Sequence, residues 1–121
     1  MTNIEFNLEE RLLDFSAGII KIVEALPNTR VGNHIAGQLI KAGTSPFANH
    51  GEAQAAESQK DFIHKLRICL KELRETKRWL DLIEKAQLLK EAELNEFIRE
   101  SEELIKIFVA NINTANRNRI Q

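Results

Sequence analysis

FIHKLRICLKELRETKRWL, residues 62–80, sets an apolar residue at every third or fourth position and a charge in most of the gaps. Phe62, Leu66, Cys69, Leu73, Thr76, Leu80 and Ile83 advance in steps of four and three, the spacing that keeps side chains on one face of an α-helix. That row is a core face. One residue earlier, about 100° round a helix, run Asp61, Lys65, Ile68, Glu72, Glu75, Trp79 and Leu82. A further residue back come Lys60, His64, Arg67, Lys71, Arg74, Arg78 and, past Asp81, Lys85. The helix therefore shows its surroundings an oily row, a mixed row and a basic row. Ser58-Gln59-Lys60-Asp61, a hydroxyl followed three residues later by a carboxylate, reads as its capping box, which predicts a helix over residues 59–85.

Working outward, Leu8, Leu12, Phe15, Ile19, Ile22 and Leu26 repeat the same spacing and predict a helix over residues 8–26. Pro27 stops it, because its ring and missing N–H are not tolerated in a helix interior. A second helix, residues 30–57, carries the inner row Ile35, Leu39, Ala42, Pro46, Asn49, Ala53 and Ala56. Pro46 lies within that row, so either a kink or a restart is expected near residue 46, with Ser45 capping the second piece. A fourth helix, residues 91–113, turns Leu94, Phe97, Ile98, Ser101, Leu104, Ile105, Phe108, Val109 and Ile112 inward. The tail NTANRNRIQ lacks a period, so residues 114–121 are expected to fray.

Four amphipathic helices joined by short connections predict an all-α, antiparallel up-down-up-down four-helix bundle. With 121 residues the chain fits one domain, 1–121, large enough to bury a core without metals or disulfides. The single cysteine, Cys69, excludes an internal disulfide and any CxxC pair, and the start MTNIEFNLEE lacks a signal-peptide pattern. No apolar run approaches the ~20 residues that span a bilayer. A cytoplasmic protein without membrane attachment is expected.

Seventeen basic and eighteen acidic residues give a formal net charge of −1, so nucleic-acid or anionic-membrane binding would have to be local. The charge is segregated. Residues 60–90 hold nine basic and five acidic side chains, whereas residues 1–59 and 91–121 are net acidic. The basic row has two readings. It is a solvated face paired with Glu72, Glu75 or Glu84, or it is a phosphate-contacting ridge of Lys60, Arg67, Lys71, Arg74 and Arg78. The mixed row also has two: Trp79 and Leu82 widen the buried face, or they form a partner surface with Glu72 and Glu75 as ion-pairing groups.

TSPFANHGEA (residues 44–53) and AESQKDFIHKLRICLKELRETKRWL (residues 56–80) resemble a small bacterial four-helix-bundle family, the proteins encoded within intervening sequences of 23S ribosomal RNA genes. The most specific parts are the spacing of Ser45, Asn49 and Glu52 and the run holding Asp61, Phe62, Ile63, His64, Lys65, Lys71, Glu72, Glu75, Thr76, Trp79 and Leu80. The resemblance implies an up-down bundle that assembles as a ring, commonly a homopentamer, without established enzymatic activity. A related branch, the accessory proteins of diversity-generating retroelements, binds nucleic acid through a strongly basic barrel; this near-neutral chain departs from that branch. Independently of the resemblance, Ser45, Asn49 and Glu52 share a helix face among alanines and glycines, where another backbone can approach closely. Asn49, placed on the inner row, needs a hydrogen-bond partner, with Glu72, Glu75 or a carbonyl near Pro46 as candidates.

Catalytic and metal signatures are missing. Neither Glu-x-x-His nor His-x-x-His occurs, and there is no phosphate-binding glycine loop and no GxSxG elbow. His34, His50 and His64 are scattered, and Cys69 on the core row reads as inert packing. Glu72 and Glu75 would need a cleft to act as an acid/base pair, and a bundle of this size offers none in its sequence. The expectation is a non-enzyme with no cofactor, metal or small-molecule substrate. It acts as a self-assembling scaffold or interaction module through Ser45, Asn49, Glu52, Asp61, Lys65, Glu72, Glu75 and Trp79. The alternative is an RNA- or DNA-binding accessory protein using the basic stripe of the third helix.

Overall fold

Pro27, hydroxyl caps and one strained turn cut the chain into four helices: α1 Ile4–Ala25, α2 Arg30–Gln54, α3 Gln59–Lys85 and α4 Glu91–Ile120. The computed structural model describes residues 4–120, and side chains from residue 8 to residue 118. There is no strand among the described residues.

Each boundary has a local cause. Thr29 caps α2 by accepting from the Gly32 N–H at 3.0 Å, and Ser58 caps α3 by accepting from the Asp61 N–H at 3.0 Å. α3 ends in a Schellman arrangement, with Leu88 N–H donating to Ile83 O and Gln87 N–H to Glu84 O, both at 3.1 Å. Gln87 takes the left-handed conformation, φ 57°, at the position where glycine is usual. α2 ends at Gln54, short of the expected residue 57, because the Ala55 and Ala56 N–H groups turn back to Glu52 O and Ala53 O. No restart occurs at residue 46: α2 runs through Pro46 as one helix, and Ser45 is not a cap. Hydroxyls reach the carbonyls of the preceding turn, Thr44 Oγ1 donating to Ile40 O at 2.7 Å and Ser16 Oγ of α1 to Gly43 O at 3.1 Å.

Packing follows chain order. α2 lies along α3 and α3 along α4, α1 lies along α2, and α4 closes more sparsely onto α1; among the described residues the diagonal backbones stay apart, and α2 reaches α4 through side chains, as His50 does to Phe108. All six inner residues expected of α1 are buried, as are Leu66, Cys69, Leu73, Thr76, Leu80 and Ile83 of α3. Removing each such leucine, isoleucine or phenylalanine side chain from water is worth about 1.5–3 kcal/mol. Two positions shift by one residue. Ile63 is buried and Phe62 half-buried, and on α2 His50 is buried where Asn49 was expected. A neutral imidazole can turn its edge onto Phe108 in the core, whereas a carboxamide has more hydrogen-bonding positions to fill and stays on the partly wet flank.

The second correction concerns the tail. α4 continues to Ile120, past the expected end at residue 113; residue 121 lies outside the described residues. Ala115 extends the inner row and is buried, and its carbonyl accepts from Gln59 Nε2 at 3.4 Å, so the start of α3 holds this segment in place. At the α1–α2 seam Gly43 permits close approach, since a Cβ there would lie 2.5 Å from Ile19 Cγ2. Arg11 fastens the sparse α1–α4 contact with a two-pronged ion pair to Glu100, at 2.7 and 3.0 Å.

Candidate functional site

The three rows of α3 meet three different surroundings. The oily row is the core. Six of the seven mixed-row residues, from Asp61 to Trp79, are half-buried and only Leu82 is exposed, because α2 covers one flank of the row. Lys65 reaches across to Glu52 at 2.8 Å, and that contact raises the lysine pKa above its ordinary value. His34 of α2 meets Trp79 edge-on at a centroid distance of 6.2 Å, and Trp79 Nε1 donates to Glu75 at 3.0 Å. Glu72, pushed up in pKa by burial and then by its neighbour Glu75, has no cation within 4 Å among the described residues.

Ser45 and Asn49 form a local pair. Asn49 Nδ2 donates to Ser45 Oγ at 2.8 Å and to Ser45 O at 3.1 Å, so the carbonyl beside Pro46 serves it, and not Glu72 or Glu75. Glu52 stands one turn further, on the Lys65 bridge. The neighbouring Gly51, and Gly37 four turns back along α2, face open space.

The basic row is exposed throughout, and among the described residues none of Lys60, Arg67, Lys71, Arg74 and Arg78 has a carboxylate within 4 Å. The cations that do pair lie elsewhere: Lys77 bridges Asp81 at 2.7 Å and Glu102 of α4 at 3.8 Å. Arg74, Glu75, Arg78, Trp79 and Leu82 line an open groove of about 540 Å³. Val31, one turn from His34 on α2, is 56% exposed at the same end of the bundle.

Row counting on α3 alone misses a second apolar face. Leu13 and Ile20 of α1 are 50% and 46% exposed, and with the exposed Ala17 they keep the four-and-three spacing. This stripe lies on the helix diagonal to α3. The same count applied beside the core row of α1 would have found it.

At the opposite end from Trp79, where α1 begins and α2 finishes, a cavity of about 680 Å³ opens among the ends of all four helices. Such a cleft was not expected of so small a bundle. His50 lines it, 6% exposed, with Nε2 3.2 Å from Gln54 Nε2 and Nδ1 without a partner among the described residues. A buried nitrogen left unpaired costs about 1–3 kcal/mol. Burial holds the His50 pKa below its ordinary value, against a smaller opposing pull from Glu9. Cys69 is buried, its Sγ donating to Pro46 O at 3.5 Å, and burial pushes its thiol up to about 12, far from a thiolate at neutral pH. No group of three His, Cys, Asp or Glu among the described residues is arranged to hold a metal ion, and no helix among them is long and apolar enough to cross a membrane.

The fold thus defines an all-α bundle whose exposed chemistry sits on an α3 flank and at one open end. The chain belongs to the family of 23S rRNA-intervening sequence proteins, whose family model matches residues 6–110. It is also similar to a crystal structure of a protein of unknown function from the S23 ribosomal protein family of Bacteroides thetaiotaomicron. The two are 31% identical, with a TM-score of 0.81, over 87% of this chain and 97% of that one. No curated protein matches the chain.

Proposed function

We propose that this chain is a cytoplasmic, non-enzymatic module that works as a homo-oligomeric ring, with five copies as the stoichiometry the family resemblance implies. The carrying observation is a pair of unlike, uncovered faces on diagonal helices: the α3 groove, where Trp79 and Leu82 lie beside Arg74 and Arg78, and the α1 stripe of Leu13, Ala17 and Ile20. Two different faces on one protomer make a head-to-tail contact, which closes into a ring when the rotation permits. Charge is consistent with this arrangement. Residues 91–103 carry six carboxylates and one arginine, an acidic flank for the unpaired cations of a neighbouring copy. Ser45, Asn49 and Glu52 would rim the contact on α2, where Gly37 and Gly51 leave room for another backbone. Native mass spectrometry and light scattering test the reading. An oligomer that Trp79→Ala dissociates is expected, and a monomer at tens of micromolar would overturn it.

The unpaired basic row also favours a second reading, an accessory protein gripping RNA or DNA backbones through Lys60, Arg67, Lys71, Arg74 and Arg78. It requires affinity that falls steeply with salt, whatever the base sequence. A flat titration at low salt removes it.

A further inference from the structure

We propose that the cavity at the His50 end of the bundle binds a small uncharged molecule that carries a carboxamide or lactam edge on an apolar body. Its volume, about 680 Å³, lies within the roughly 300–1,000 Å³ of small-molecule pockets. Part of the lining is apolar, with Phe62, Leu66 and Ile107. Among these lie neutral groups that both donate and accept hydrogen bonds, chiefly Gln54, Asn111 and Thr114. A carboxamide offers a matching donor and acceptor side by side. Among the described residues no lysine or arginine lines the cavity and Glu9 is the one charged side chain, so a carboxylate or phosphate entering it would shed water without gaining a counter-charge from them.

His50 supplies the independent observation. Its imidazole is more than nine-tenths buried on the cavity wall, and Nδ1 lacks a partner among the described residues. Native interiors rarely leave such an atom unpaired. The contact of Nε2 with the Gln54 amide suits either tautomer, because the amide presents a donor or an acceptor as it turns over. Nδ1 itself is sealed from solvent, so the polar contacts of a ligand fall on Gln54, Asn111 and Thr114, with the imidazole as part of the wall. The site is at the far end of the bundle from the Trp79 groove, so it stands or falls independently of assembly.

Nuclear magnetic resonance titration of the full chain tests the proposal with two probes of similar shape, nicotinamide and the anion benzoate. Nicotinamide should give saturable shifts at the Gln54 and Asn111 side-chain amides and the His50 ring, and benzoate should give none. Asn111→Leu keeps the volume and removes the amide, and should weaken nicotinamide by about tenfold, the worth of one hydrogen bond. Ala110→Trp places an indole from an exposed position of the lining and should abolish the shifts, with circular dichroism and melting temperature showing an intact fold. Equal responses to the two probes, no saturable shift up to ~10 mM, or shifts that survive Ala110→Trp would each overturn the assignment.

Discussion

Two histidines of α2 each meet an aromatic ring edge-on in nearly the same geometry. His34 and Trp79 have centroids 6.2 Å apart at 75°, and His50 and Phe108 have centroids 6.1 Å apart at 83°. Their surroundings are opposite. His34 is exposed and its tryptophan half-buried beside unpaired arginines, whereas Phe108 is fully buried and His50 nearly so, on the wall of a pocket with neutral amides in its lining and with Nδ1 unpartnered among the described residues. The difference teaches that contact geometry alone does not say what a residue is for. Solvent access and the charge of the neighbours separate a surface that meets a partner from a pocket that admits a small molecule.

Truncating the aromatic partner of each pair breaks the comparison most directly. Phe108→Ala deletes a fully buried ring and should cost about 3–5 kcal/mol in urea unfolding. Trp79→Ala should cost only about 1–2 kcal/mol of protomer stability while shifting the oligomer toward monomer. Equal losses from the two, with unchanged stoichiometry, would show that Trp79 is merely a second core residue.

The acid response of the buried imidazole comes next. Its pKa is lowered in the folded chain, so below the ordinary value of 6.5 the unfolded chain binds the proton more readily and stability falls with pH. The loss runs from about pH 6.5 down to the folded value and then levels off. His50→Leu should remove that part of the acid slope and gain about 1 kcal/mol at pH 7, since the unpaired nitrogen goes with it. Melting temperatures at pH 7 and pH 5 check both effects; an unchanged slope would mean that His50 takes up its proton equally readily in the folded and unfolded chain.

The same contrast explains what was legible in advance. α1 and α3 keep unbroken four-and-three apolar rows, and their burial follows nearly residue for residue, Ile63 apart. α2 is built of small residues around Pro46, so its pattern allows Asn49 or His50 on the inner row, and only the presence of Phe108 on α4 decides between them. The tail has no pattern of its own, and residues 113–120 are helical because Ala115 meets the start of α3. The cavity was illegible for the same reason: Glu9, Gln54, Gln59 and Asn111 come together only once four helix ends are packed.

At the Trp79 end, Gln87 separates stability from association. Gln87→Gly relieves a left-handed backbone and should raise stability by about 0.5–1 kcal/mol without altering stoichiometry. A gain in Tm accompanied by a changed oligomer would mean that the α3–α4 turn itself contributes to the contact.

The smallest change in stability should come from the largest change in charge. Arg74 and Arg78 are exposed and lack carboxylate partners, so Arg74→Glu with Arg78→Glu should move protomer stability by no more than about 0.5 kcal/mol. Their field is another matter. Both line the groove beside Trp79, and reversing them there repels an acidic α4 flank from a second copy or a phosphate backbone alike. The two partners differ in how they respond to Trp79→Ala. An apolar contact between copies is weakened by loss of the indole at every ionic strength, whereas backbone binding by the cations tracks counterion release and survives it at low salt. Comparing the arginine variant with Trp79→Ala at two salt concentrations therefore assigns the ridge. If neither variant changes stoichiometry or nucleic-acid affinity, the groove end of the bundle is only a solvated surface.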